Sequence, residues 1–220
     1  MTWTQELWNS VDPIWEAILA HPFLRGLASG QLPTECFTYY LAQDAHYLRD
    51  YARALAIVAA KAPTHAETGI FATHAAETVQ VELALHETLL PQLGVDPAEL
   101  NAVPASPTTT AYTSYLLATA SNGSFMDGLA AVLPCYWIYQ RVGTELIGRG
   151  SPDPHYQIWI DTYGGDDFAA VVATVLDVAD RHGAGLPPAE HARAARHFLT
   201  TARYEWMFWD AAQRREAWPV

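Results

Sequence analysis

Tyr39–Lys61, YYLAQDAHYLRDYARALAIVAAK, reads as one long buried helix. On a period of 3.6 residues Tyr40, Asp44, Tyr47 and Tyr51 fall on one side, and Leu41, Leu48, Leu55 and Val58 continue the neighbouring apolar stripe. A carboxylate among aromatic rings on an inward face is costly unless something pairs with it. Asp44 therefore points to a pocket for a small molecule.

Outward from that helix the chain continues in helical periods. Thr2–Ala20 has Leu7, Val11, Ile14, Trp15 and Ile18 at helical spacing, ended by His21–Pro22. Phe23–Ala28 is a short helix closed by Gly30, and Pro33, with Thr34 and Glu35 in the first turn, opens the long one. Ala62–Pro63 stops it. Thr64–Leu90 follows, with Phe71, Ala75, Val79, Glu82, Leu85, His86 and Leu89 on its inner side. Gln92–Thr110, rich in Pro and small polar residues, reads as a surface connection with one turn at Pro97–Leu100. Helices are then expected at Ala111–Ser121, Phe125–Ile147, Pro154–Tyr163, Asp167–Ala184 and Pro188–Gln213. Pro134, inside Phe125–Ile147, removes a backbone donor and is expected to kink that helix. No stretch alternates at period two and no hairpin signal joins two β-branched runs. The expectation is a single all-α domain over residues 1–220, with eight or nine helices packed as ridges into grooves.

Composition narrows the function. The formal charge of −12 repels nucleic acid and anionic membranes. Charged residues make up 16%, below the usual ~25%. With 8 Trp, 11 Tyr and 7 Phe, the low charge suggests surface shared with partner subunits. Two cysteines, Cys36 and Cys135, make no disulfide scaffold. The start, MTWTQELWNSVDPIWEAILAH, lacks a basic region before an apolar run, and Ala54–Ala60 and Leu129–Tyr139 are too short to span a bilayer. A soluble cytoplasmic protein is expected.

Three further positions place polar groups on faces that should be dry. Cys135 follows Pro134, with Tyr139 one turn later on the same face. A lone helical cysteine is ordinarily a small core hydrophobe; a reactive one needs a base or hydrogen-bonding partner nearby. Glu205, in TARYEWMFWDAA, shares its side of the last helix with Phe198, Thr201, Ala202, Phe208, Trp209 and Ala212. It is either a satisfied structural carboxylate or a functional acid. Glu82 and His86, four apart, read as a structural pair tying two helices together. No Glu is followed by His at the third position, and CxxC, HExxH, P-loop, GxGxxG and GxSxG are absent. His21, His65, His155, His182 and His191 are scattered at turns and on polar faces, so no metal or cofactor site is expected.

Four blocks, in order, carry a resemblance: LPxxxFxxYLxQDxxYLxxYARALAxxxAKA at Leu32–Ala62, LPCYWIYxxxG at Leu133–Gly143, WIxxYGGxxF at Trp159–Phe168, and YEWMFWDAA at Tyr204–Ala212. Together they resemble the TenA/thiaminase II family, in its cysteine-bearing branch. The resemblance implies a haem-oxygenase-like all-α fold, a homotetramer, and a hydrolase of thiamine salvage. Such an enzyme releases 4-amino-5-hydroxymethyl-2-methylpyrimidine from 4-amino-5-aminomethyl-2-methylpyrimidine or from thiamine. It also implies residue roles: Cys135 as nucleophile, Asp44 as pyrimidine-binding carboxylate, Glu205 as acid/base, and Tyr47, Tyr112, Tyr139 and Tyr163 as pocket tyrosines, with Tyr163 hydrogen-bonded to Glu205. Tyr47 stands where some members carry Phe.

Two other classes remain open on the residues. A non-catalytic binder of thiamine-like pyrimidines, or a regulatory protein, would use the same Asp and Tyr pocket without forming product. A haem or quinone-precursor enzyme on the same fold would need an axial His near the first helix, where His21 sits instead at a helix end.

Overall fold

In the computed structural model, which describes residues 1–84, 93–94 and 96–220, with side chains at all of these but 81–84, 97, 99 and 101, the described residues form helices and no strand. In chain order they are α1 (Trp3–Asn9), α2 (Asp12–Leu19), α3 (Pro22–Ser29), α4 (Thr34–Lys61), α5 (His65–Ala84), α6 (Pro97–Ala102), α7 (Pro107–Asn122), α8 (Phe125–Ile147), α9 (Pro154–Gly164), α10 (Asp166–Gly183) and α11 (Pro188–Arg214).

The all-α expectation holds, with more pieces than the periodicity alone suggests. The stretch read as one helix over Thr2–Ala20 is two. Pro13 has no N–H to continue the ladder, so α1 closes at Asn9, with Ser10 Oγ donating to the Leu7 carbonyl at 2.6 Å, and α2 restarts at Asp12. The helix expected from Ala111 begins four residues earlier. Ser106 is its N-cap, accepting from Thr109 N at 3.1 Å, and Pro107 opens its first turn. On α5, Phe71 and Ala75 are buried as the spacing requires, whereas Val79 is 41% exposed. The Glu82/His86 pair lies outside the described residues and their side chains. His21, at the helix end where the sequence places it, is buried: it caps α3 by accepting from Phe23 N at 3.1 Å and lies 3.7 Å from Asp210 on α11.

α8 runs through the middle of the bundle. Every residue from Phe125 to Pro134 is buried, as expected of a helix enclosed by others, while Arg141, Thr144 and Glu145 in its last turns face outward; the helix continues through Pro134. It packs on α11, α9, α7, α10 and α4, while α4 packs on α5 and α7. The ends of these helices are tied by charge. The Lys61 ammonium donates to the carbonyls of Ala120, Ser121 and Gly123 at 2.6–2.7 Å, so the last residue of α4 neutralises the negative end of α7. Ser124 and Asp127 form a capping box that opens α8, and Asp127 also accepts from Arg193 on α11 at 2.8 Å.

The contact that decides the site is between α8 and α9. A Cβ placed on Gly143 would stand 2.3 Å from the Tyr163 carbonyl carbon and 2.4 Å from Gly164 N. The two backbones therefore touch, one turn beyond Tyr139, and this sets Tyr163 against Tyr139 with ring centroids 4.8 Å apart. Gly143→Ala must push α9 away. The expected loss is about 1–3 kcal/mol of stability, a fall of several degrees in Tm, together with lost function through displacement of Tyr163. Thermal unfolding followed by circular dichroism checks the first, and an unchanged Tm would contradict the close approach.

Candidate active site

The Asp44 face of α4 is buried throughout: Tyr40, Asp44, Tyr47 and Tyr51 are each at most 7% exposed. It looks across at Cys135, Tyr136 and Tyr139 of α8, and at Tyr163 of α9. Between them lies a cavity of about 170 Å³, whose wall is completed by His74, Glu77 and Thr78 of α5 and by Phe168 and Val171 of α10. The volume is below the roughly 300–1,000 Å³ of clefts for drug-sized ligands, and is on the scale of one flat ring. The wall is mostly aromatic, which suits stacking on such a ring.

Asp44, Tyr47, Cys135, Tyr139 and Tyr163 all face this space. Tyr112 and Glu205 do not line it; they stand one layer behind, at 0% and 1% exposure. Tyr112, expected against the ring, instead donates its hydroxyl to Glu205 Oε1 at 2.5 Å, and Tyr47 donates to the Tyr112 hydroxyl at 3.4 Å. The donor to Glu205 is thus Tyr112, not Tyr163. The reason is geometric: Tyr163 on α9 is packed on Tyr139, Trp159 and Phe168 at the cavity wall, while α7 brings Tyr112 directly beside α11.

A second hydroxyl series runs toward the cavity. Trp159 Nε1 donates to the Tyr40 hydroxyl at 3.3 Å, and Tyr40 donates to the Tyr139 hydroxyl at 3.2 Å. Tyr139 accepts there, so its own proton can be offered to an occupant. Burial holds the phenols of Tyr40, Tyr47, Tyr112, Tyr139 and Tyr163 well above their ordinary range. They are neutral donors at any physiological pH.

Two groups here are poised for chemistry. Burial raises the Glu205 carboxyl from 4.5 to about 8; the Tyr112 hydrogen bond opposes that rise and the Asp44 charge adds to it. Cys135 is a free thiol, half-buried, with its open side on the cavity. Its surroundings push it well above the usual thiol value, through burial first and then the Glu205 charge; hydroxyls of Tyr47 and Tyr51 pull the other way and Asp44 adds to the rise. Such a thiol rests protonated and needs a proton acceptor, or a nearby cation, before it can attack.

Sequence reasoning missed part of the wall. Tyr51 lies on the Asp44 face and was left unassigned. Tyr136 adjoins Cys135. His74 follows the buried Phe71 by three residues, a spacing that turns it inward, and its Nδ1 lies 3.0 Å from the Tyr136 hydroxyl. Among the described residues no group of three or more His, Cys, Asp or Glu side chains is placed to hold a metal ion.

The buried Glu205 has a consequence for stability. Its carboxyl binds a proton in the folded chain that the unfolded chain releases near pH 4.5. Stability therefore falls as pH rises from about 4.5 to about 8, and the loss is complete above that. The slope in that window approaches about 1.4 kcal/mol per pH unit. Glu205→Gln is expected to flatten it, and Tyr112→Phe, by removing the opposing hydrogen bond, to extend the fall to higher pH. Denaturant titrations at several pH values measure this; a Glu205→Gln profile parallel to that of the unaltered chain would refute it.

The model of the TENA/THI-4/PQQC family matches residues 8–216 of the chain. An aminopyrimidine aminohydrolase of Halalkalibacterium halodurans is 37% identical over 220 residues, covering 99% of this chain and 98% of that protein. The solved structure of a TenA homologue from P. horikoshii superposes with a TM-score of 0.90 at 29% identity, covering 97% of this chain and 99% of that one. A domain of unknown function with a haem-oxygenase-like fold, from Shewanella denitrificans, superposes at 0.74 with 16% identity, over 96% of this chain and 92% of that domain, and so bears on the fold alone. The chain belongs to the TENA/THI-4/PQQC family, and its fold is haem-oxygenase-like.

Proposed function

We propose that this chain is an aminopyrimidine aminohydrolase of thiamine salvage, hydrolysing 4-amino-5-aminomethyl-2-methylpyrimidine to its 5-hydroxymethyl counterpart and ammonia, with thiamine as a further substrate. The observation that carries the reading is the convergence of the Cys135 sulfur, the Asp44 carboxylate and the Tyr139 and Tyr163 rings on one cavity of about 170 Å³. The similarity to an aminopyrimidine aminohydrolase over nearly the whole length of both chains supports it.

The bond to be broken joins a methylene to an amine beside an aromatic ring, and direct displacement there is slow. In the reading we favour, the Cys135 thiolate adds to ring carbon C6, and the electron pair moves to the ring nitrogen, which takes a proton. That pair then returns to expel the amine from the methylene, leaving an exocyclic double bond. Water adds to the methylene carbon, its proton passes to the enzyme, and the C6–S bond breaks to restore the aromatic ring. A thiolate suits both ends of this sequence because it adds and departs readily. Asp44 would pair with the amidine-like edge of the ring, and a protonated ring offers it charge-assisted hydrogen bonds. Glu205, raised to about 8, sits in the range where one group can both accept and return protons near neutrality. It lies behind the wall, so its protons would travel through the Tyr112 and Tyr47 hydroxyls. We further propose a single catalytic domain over residues 1–220, working as a cytoplasmic homotetramer without a cofactor. The 43% and 45% exposure of Ile147 and Ile158 on the outer faces of α8 and α9 supports subunit contacts.

Cys135→Ala and Cys135→Ser are expected to abolish release of hydroxymethylpyrimidine while leaving the helical circular dichroism spectrum intact. Near-normal turnover by either would exclude the covalent route. Glu205→Gln is expected to lower kcat by about 10²–10⁴-fold, the usual contribution of general acid–base catalysis, with a smaller change in KM. An ammonia assay on the aminomethyl pyrimidine also separates this reading from a pure binder, which would produce none.

A further inference from the structure

We propose that Glu77, at the mouth of the cavity beside His74, is a specificity residue that receives the cationic amine of the substrate. The proposal deepens the reading of the site given above and rests on it.

The wall of the cavity grades from dry to wet. Asp44, Tyr47, Tyr51, Tyr136 and Tyr139 are buried, His74, Thr78 and Phe168 are half-buried, and Glu77 and Thr162 are exposed. Glu77 and Thr162 therefore mark the opening. Glu77 follows His74 by three residues on α5, so both sit on the helix face turned to the cavity. Among the described residues no lysine or arginine forms an ion pair with it, and none lines the cavity. His74 does not neutralise it either: burial holds the imidazole below its ordinary value, with Glu77 only partly opposing, and its Nδ1 is engaged with the Tyr136 hydroxyl at 3.0 Å. The Glu77 charge also reaches Tyr136, deeper in the wall.

The chemistry of the substrate fits this gradient. An aliphatic primary amine is an ammonium ion at neutral pH, and it is the amine that departs. With the amidine edge of the ring on Asp44, the aminomethyl arm, on the carbon next to the 4-amino carbon, projects sideways from that edge, and the mouth is the open direction for it. A carboxylate there attracts the ammonium form on entry and favours departure of the amine outward. The neutral alcohol product gains nothing from it, so product is released more readily than substrate.

The test compares two ligands that differ only at that position, aminomethyl- and hydroxymethylpyrimidine. They are titrated calorimetrically into Cys135→Ala protein, which cannot turn over, with and without Glu77→Gln. The expected result is a three- to tenfold weaker Kd for the amine, a Kd for the alcohol unchanged within twofold, and substantial retention of amine affinity in Glu77→Asp. Raising salt should weaken amine binding only where the carboxylate is present. If the two ligands shift together, or neither shifts, Glu77 has no such role and the proposal falls. If neither pyrimidine binds to the Cys135→Ala parent at all, the reading of the site falls and takes the proposal with it.

Discussion

The short hydrogen bond from Tyr112 to Glu205, 2.5 Å long and buried on every side, is the constraint around which the site is built. A carboxyl group at 1% exposure among aromatic side chains has lost its water. It survives there only by holding a proton or by accepting a strong hydrogen bond. Tyr112 supplies the bond, and α7 must lie against α11 to deliver it. That requirement is met at both ends of α7. Lys61 fastens its C-terminal carbonyls, and the Glu216 carboxylate, just beyond α11, accepts from Thr108 N in its first turn at 2.9 Å. Bonds remote from the cavity thus hold the phenol and the acid in register.

A second constraint is steric. α8 carries the thiol and the Tyr136 and Tyr139 rings of the pocket, α9 carries the Tyr163 ring that packs on Tyr139, and the two helices meet backbone to backbone at Gly143. Glycine is required there because any side chain would occupy the space of the Tyr163 and Gly164 main chain. This close contact sets the Tyr139 and Tyr163 rings side by side in the wall, and an aromatic wall favours flat ligands.

Much of this was legible in the sequence, and the illegible part has a common cause. Helical periodicity placed Tyr40, Asp44, Tyr47 and Tyr51 on one face and Cys135 with Tyr139 on another, because those relations are local. Periodicity also marked Glu205 as an acid on a dry face. It could not say which tyrosine would meet Glu205, since that depends on how α7 and α9 pack against α11. Tyr112 therefore stands behind the wall and takes the bond to Glu205 expected of Tyr163, while Tyr163 keeps its expected place in the wall. His74 was overlooked for a different reason: its inward direction followed from the spacing to Phe71, but it lies outside the motifs and received no reading. The break at Pro13 and the start at Ser106–Pro107 were visible residue by residue, and were missed because apolar spacing was weighed above capping chemistry.

The electrostatics of the cavity bear on when the thiol becomes reactive. Cys135 is pushed up by burial and by the charges of Glu205 and Asp44, and Glu205 in turn is pushed up by burial and by Asp44. An anion in this cavity raises the cost of every other anion, so in the absence of an occupant the thiol holds its proton. A positively charged ring on Asp44 reverses the sign of that interaction: it favours ionisation of the sulfur and of Glu205 together, through the same low-dielectric surroundings that opposed it. On the proposed reading, a site whose described wall carries acids and phenols and neither lysine nor arginine stays inert until a cationic ligand enters. A neutral analogue of the same shape would occupy the slot without releasing the thiolate. On the proposed reading, the composition of the pocket, acidic yet aromatic, accounts for selectivity and for activation by one physical cause.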